Sequence, residues 1–119
     1  MSRYTKETML VIGTVHLPYV DYQRLSESVK HPEKNIYPFK ILDQVDGFIL
    51  HIPEKVLIGN HNALEYINQL GRKNTEVFLL KEFTDSFRSI LRLAQQEGCH
   101  WIMFDADGTY YDNLPAFDW

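Results

Sequence analysis

The chain has 119 residues, of which 45% are apolar, and a net charge of -4, a size that suits one domain able to bury its own core. Its single cysteine, Cys99, excludes an internal disulfide. No apolar run approaches the roughly 20 residues of a membrane helix and no leader-like segment opens the sequence, so the expectation is a cytoplasmic protein that does not enter membranes.

Residues 1–7 show no periodic pattern and read as a flexible N-terminus. Thr8 to Val15 (TMLVIGTV) is a short apolar run rich in β-branched residues, the mark of a buried strand, and Gly13 inside it points to a strand end or a close backbone approach. Pro18 suits a first helical turn, and Tyr22, Leu25 and Val29 recur at helical spacing, which predicts a helix from Pro18 to Lys30. Ile36 to Leu42 and Gly47 to Ile52 read as two strands joined by a turn, with Pro38 making the first an edge strand. Asn60 predicts the start of a helix through Leu70 that Gly71 stops, and Glu76 to Lys81 predicts another strand.

Thr84 opens the clearest helix. Phe87, Ile90, Leu91 and Ala94 form its inner face, Arg88, Arg92, Gln95 and Gln96 its outer side, and Gly98 supplies the left-handed C-terminal residue. His100 to Phe104 then reads as a strand, Asp105 to Gly108 as a turn with positive φ at Gly108, and Thr109 to Tyr111 as a short return strand. Residues 112–119 carry Leu114, Phe117 and Trp119, too much apolar surface for a free tail, so this end is expected to dock. The order of elements predicts a single α/β or α+β domain, a mixed sheet of about five strands with three helices.

Charge is unevenly placed. Leu93 to Trp119 holds Glu97, Asp105, Asp107, Asp112 and Asp118 and no Lys or Arg, a local field that repels phosphates and favours a basic partner or a cation. Arg72-Lys73 and Arg88/Arg92 are the basic clusters a nucleic-acid-binding role would use, although small clusters of this kind usually solvate a helix. The histidines His16, His31, His51, His61 and His100 lack metal-ligand spacing; His16 is the best placed for a role and reads as a hydrogen-bonding residue between the first strand and the first helix. Cys99 reads as a core thiol.

Ile102-Met-Phe-Asp105-Ala-Asp107-Gly-Thr109 resembles the first motif of the haloacid dehalogenase superfamily. The resemblance implies a Mg2+-dependent phosphohydrolase in which Asp105 is the nucleophile, Asp107 the general acid/base, and both hold the metal. Only ten residues follow Thr109, none of them Lys or Arg, so the later Ser/Thr, cation and acidic pair of that superfamily have no counterpart downstream. A circular permutation would have to recruit Thr14 with Lys30 or Lys34. Read simply, Asp-Ala-Asp-Gly is a tight-turn sequence needing no cofactor.

The run Gly13 to Pro18, the Gly47-Phe-Ile-Leu-His strand, and above all Leu93 to Gly108 followed by Leu114-Pro-Ala-Phe-Asp-Trp119 are similar to an uncharacterised bacterial family designated only a domain of unknown function. That family is found in plasmids, integrative elements and prophages, and its members end in an FDxD…LPxYDW pattern. The resemblance implies no activity. It implies an accessory role on a mobile element, such as inhibiting a host defence component. The expected function is therefore a non-catalytic protein-interaction module that binds through Trp101, Asp105, Asp107, Tyr110, Tyr111, Asp112, Phe117 and Trp119, to a protein partner or to a second copy in a homodimer.

Overall fold

The computed structural model describes residues 6–35, 37–53, 56–59, 76–78 and 80–118. Its main sheet is built from β1 (Met9–Gly13), β2 (Lys40–Gln44), β3 (Gly47–His51) and β6 (Trp101–Asp105), in the order β1-β6-β3-β2. β1 runs parallel to β6, and the β6–β3 and β3–β2 pairs are antiparallel. Two further short strands, β4 (Val56–Ile58) and β5 (Glu76–Phe78), pair in parallel as a separate ribbon. The described helices are α1 (Tyr19–Lys30) and α2 (Asp85–Gln96), with 3-10 turns at Thr14–His16 and Pro32–Lys34. This is an α+β fold with a mixed sheet.

Both described helices pack on one side of the sheet. Ile12, Phe48, Leu50, Ile102 and Phe104 alternate onto that side and are fully or almost fully buried. α1 reaches them through Tyr22, whose ring meets Phe48 edge-on at 5.2 Å, and α2 through Phe87, whose ring lies 6.0 Å from Phe104. Phe39 and Phe83 extend the aromatic core around Phe87.

Local chemistry sets the helix ends. Thr84 Oγ1 accepts the Phe87 amide at 3.2 Å, the expected N-cap of α2, while its hydroxyl donates to the fully buried Asp21 carboxylate, which also accepts the Thr84 amide at 3.0 Å. One carboxylate in the first turn of α1 thus fixes the start of α2. At the other end of α2, Gly98 holds φ +75°, and the Cys99 and Gly98 amides donate to Ala94 and Gln95 carbonyls at 2.8 and 3.1 Å, a Schellman closure.

Several expectations need correction. The edge strand begins at Lys40 and runs on to Gln44, since the turn is confined to Val45-Asp46, where Asp46 takes φ 59°. Val56–Ile58 is a strand the sequence reading passed over, because three residues show no period. Its docking also reassigns the outer side of α2: Gln95 accepts the Ile58 amide at 3.0 Å and donates to the Val56 carbonyl at 2.8 Å, and Arg92 donates to the Gly59 carbonyl at 3.3 Å. The strand at Glu76 ends by Phe78. Thr109 to Tyr111 is not a return strand but a loop held against the edge of β1. Gly108 is not among the positive-φ glycines; a Cβ there would sit 2.6 Å from the Ile12 carbonyl oxygen, so it is a close-approach glycine, as Gly13 opposite it is. The helix expected over Asn60 to Leu70, the Arg72-Lys73 pair and Trp119 lie outside the described residues.

Candidate functional site

The side of the sheet opposite the helices carries three cross-strand rows. The strand register aligns Val11, Met103, Ile49 and Leu42 in the middle row, one residue from each strand. Four strands at about 4.8 Å spacing make this an apolar ridge about 14 Å long. Val11 and Leu42 at its ends are 37% and 49% exposed, and Met103 and Ile49 between them are half-buried. Burying both faces of a sheet is the usual fate of strands that are apolar at successive positions, as β1 (MLVIG) and β6 (WIMFD) are. Here the described helices cover only one face.

The rows on either side differ in charge. One holds Met9, Trp101, His51 and Lys40. The His51 and Trp101 rings lie 4.4 Å apart, and the indole N–H donates to Glu7. The other holds Gly13, Asp105, Gly47 and Gln44, and beyond it lie two turns that touch, the Ala106 amide donating to the Asp46 carbonyl at 3.2 Å. Asp46 and Asp107 are exposed on these turns, so this end of the sheet is an acidic edge; Asp43, in the Ile12–Phe104–Phe48 row, faces the helix side, where it lines a shallow groove of about 250 Å3 with Asp46 and Lys30.

Asp105 and Asp107 are joined by the turn itself. Asp105 Oδ1 accepts the Asp107 amide at 2.9 Å, and the Asp105 carbonyl accepts the Gly108 amide at 2.9 Å. This is the Asx turn that the Asp-Ala-Asp-Gly string favours. The donor set of a magnesium site is not assembled around it: among the described residues no group of three or more His, Cys, Asp or Glu is placed to hold a metal ion.

Residues 109–117 form a strap along the outer edge of β1, and His16 is its anchor. The imidazole is 1% exposed; Nδ1 lies 2.7 Å from the Pro115 carbonyl oxygen and Nε2 accepts the Tyr111 amide at 2.9 Å. A carbonyl can only accept and an amide N–H only donate, so the ring is held as the Nδ1–H tautomer. Three more bonds follow the same path: Gly13 N–H to the Thr109 carbonyl at 2.9 Å, the Tyr111 hydroxyl to the Val11 carbonyl at 2.9 Å, and Phe117 N–H to the Val15 carbonyl at 2.7 Å. The expected bonding partner of His16, the start of the first helix, is replaced by the C-terminal strap. The strap also occupies one edge of the sheet, where unpaired strand groups would otherwise template other chains.

These contacts sort the residues singled out in the sequence. Trp101 and Asp105 stand on the open face; Asp107, Tyr110 and Asp112 are exposed on the turn and strap, Tyr110 59% so. Tyr111 turns back onto the core, and Phe117 is half-buried beside Val15. Arg88 pairs with Asp85. The middle row was missed, although the unbroken apolar runs of β1 and β6 were the available signal. Burial, and next the Glu97 charge, raise the Cys99 thiol pKa; burial, and next the Glu82 charge, raise that of the Tyr37 phenol.

Residues 9–119, the stretch that holds the sheet and the strap, match the model of the C-terminal domain of a family of unknown function, DUF5983. The chain belongs to the DUF5983 family. The match takes in every described element of this DUF5983 domain, from the first residue of β1 to the strap. No curated protein and no solved structure matches it. Among the described residues, no helix is long and apolar enough to cross a membrane.

Proposed function

We propose that this DUF5983 chain is a non-catalytic protein-interaction module that binds its partner through the open sheet face and the acidic edge beside it. The observation that supports the reading is the Val11–Met103–Ile49–Leu42 row, apolar on all four strands and exposed at both ends. Contiguous apolar surface bordered by polar residues is characteristic of protein interfaces. Trp101 on the adjoining row is the kind of residue that dominates binding energy at such surfaces. The setting implied by the resemblance gives this a biological form: an accessory protein of a plasmid or prophage that acts by occupying a component of a host defence system.

The reading is tested by affinity capture from host lysate with mass spectrometry, using the wild type and a Leu42→Lys/Ile49→Lys variant whose thermal melt matches wild type. A partner recovered with wild type and lost from the variant supports the proposal. Identical, background-level recoveries from both overturn it.

A further inference from the structure

We infer that the occupant of the open face is an amphipathic helix of a partner protein, lying across the four strands with its apolar stripe on the middle row and Lys or Arg along the flank that faces the acidic edge. The inference rests on reading the chain as an interaction module and names the chemistry of what it binds.

The face selects a helix over a second sheet. Only one of its three rows is apolar throughout, while Lys40 and Asp105 stand in the rows to either side. A packed sheet, including that of a second copy of this chain, would have to bury those charges, whereas a helix offers one narrow stripe. Fourteen ångströms of row corresponds to about nine residues of helix at 1.5 Å rise, enough for apolar side chains at i, i+3 or i+4, and i+7.

Charge fixes which way round the helix lies. Asp105 is one row on from Met103, about 7 Å along the strand, and Asp46 and Asp107 continue the edge beyond it, parallel to the apolar row. A helix of about 10 Å diameter seated on the row carries its flanking side chains over that edge, so Lys or Arg there meet carboxylates. The opposite flank meets Lys40 and His51, with one carboxylate, Glu7, already bonded to the Trp101 indole, so it draws cations less than the three aspartates of the acidic edge do.

A displayed library of helix-forming 14-residue peptides, selected on wild-type chain and counter-selected on Leu42→Lys/Ile49→Lys, supplies the probe. Enriched peptides are expected to share an apolar i, i+3/i+4, i+7 stripe with Lys or Arg on one side of it. By fluorescence anisotropy they should lose about tenfold or more in affinity for Ile49→Lys, or for Leu42→Lys should the first variant fold poorly, and lose less for Asp105→Asn/Asp107→Asn, the latter loss shrinking in high salt. Three results overturn the inference: enriched sequences without the stripe, binding insensitive to both lysine variants, or a wild-type dimer in sedimentation that Ile49→Lys converts to monomer. The first and the last leave the interaction reading standing, because the face still binds a peptide or a second copy; insensitivity to both lysine variants removes the face from that reading, and an absence of any selected peptide together with background-level capture from lysate removes both.

Discussion

Replacing His16 with alanine asks whether one buried imidazole holds the C-terminal strap. The substitution removes a donor to the Pro115 carbonyl and an acceptor for the Tyr111 amide. Each hydrogen bond contributes about 1 kcal/mol net, and water can enter beside the exposed Asp112 to meet the freed groups, so the strap should lose about 2 kcal/mol of docking free energy. The loss should be local, because the strap is held by a few bonds to β1 and the turn after it and meets the core only through the half-buried Tyr111 and Leu114 side chains. The cleanest reporter is the Phe117 amide, bonded to Val15 and not to His16, whose hydrogen exchange should speed up about thirtyfold while the amides of β3 and β6 change little. His16→Asn, whose side-chain amide can donate near the Nδ1 position, and His16→Gln, whose carbonyl can accept near Nε2, should each recover part of the protection. Phe117 exchange within twofold of wild type in the alanine variant would refute the reasoning. So would an equal acceleration at every core amide, which would make His16 an ordinary core residue.

Three further outcomes follow from the geometry. Gly108→Ala places a methyl 2.6 Å from the Ile12 carbonyl oxygen and 2.9 Å from the Gly13 nitrogen, so backbone must move, and urea melts should show a loss of about 2 kcal/mol; Gly98→Ala meets no atom within 4 Å but must hold φ +75°, and should cost only about 1 kcal/mol. Asp21→Ala strips the Thr84 amide and hydroxyl of a fully buried acceptor and should lower stability by about 3 kcal/mol in the same melts, with Thr84→Ser close to wild type. The Cys99 thiol, its pKa raised by burial and then by Glu97, should be alkylated by iodoacetamide at pH 8 far more slowly than a free cysteine peptide; urea should abolish the difference, and equal rates in the native state would contradict its burial.

What could be read in the sequence was whatever is decided within a few residues. α1 and α2 were legible from spacing, the Thr84 cap and the Gly98 stop, and β1, β3 and β6 from apolar runs; β2 is an edge strand as expected, but Pro38 lies before it and is not the reason. What escaped was decided between distant segments. Gly108 looked like a turn glycine because its partner, the Ile12 carbonyl, is almost a chain length away, and His16 looked tied to the first helix because Tyr111 and Pro115 are equally remote. The open face escaped for the same reason. Val11, Leu42, Ile49 and Met103 are each unremarkable in their own strand, and only the register that sets them side by side makes a row. One further sign was available without that register: strands apolar at successive positions, as β1 and β6 are, are usually covered on both faces. The helices described here cover one. Among the described residues, the apolar row that these helices leave uncovered is what supports a partner at the sheet, whereas the Asp105-Ala-Asp107 string is accounted for by its own turn bonds.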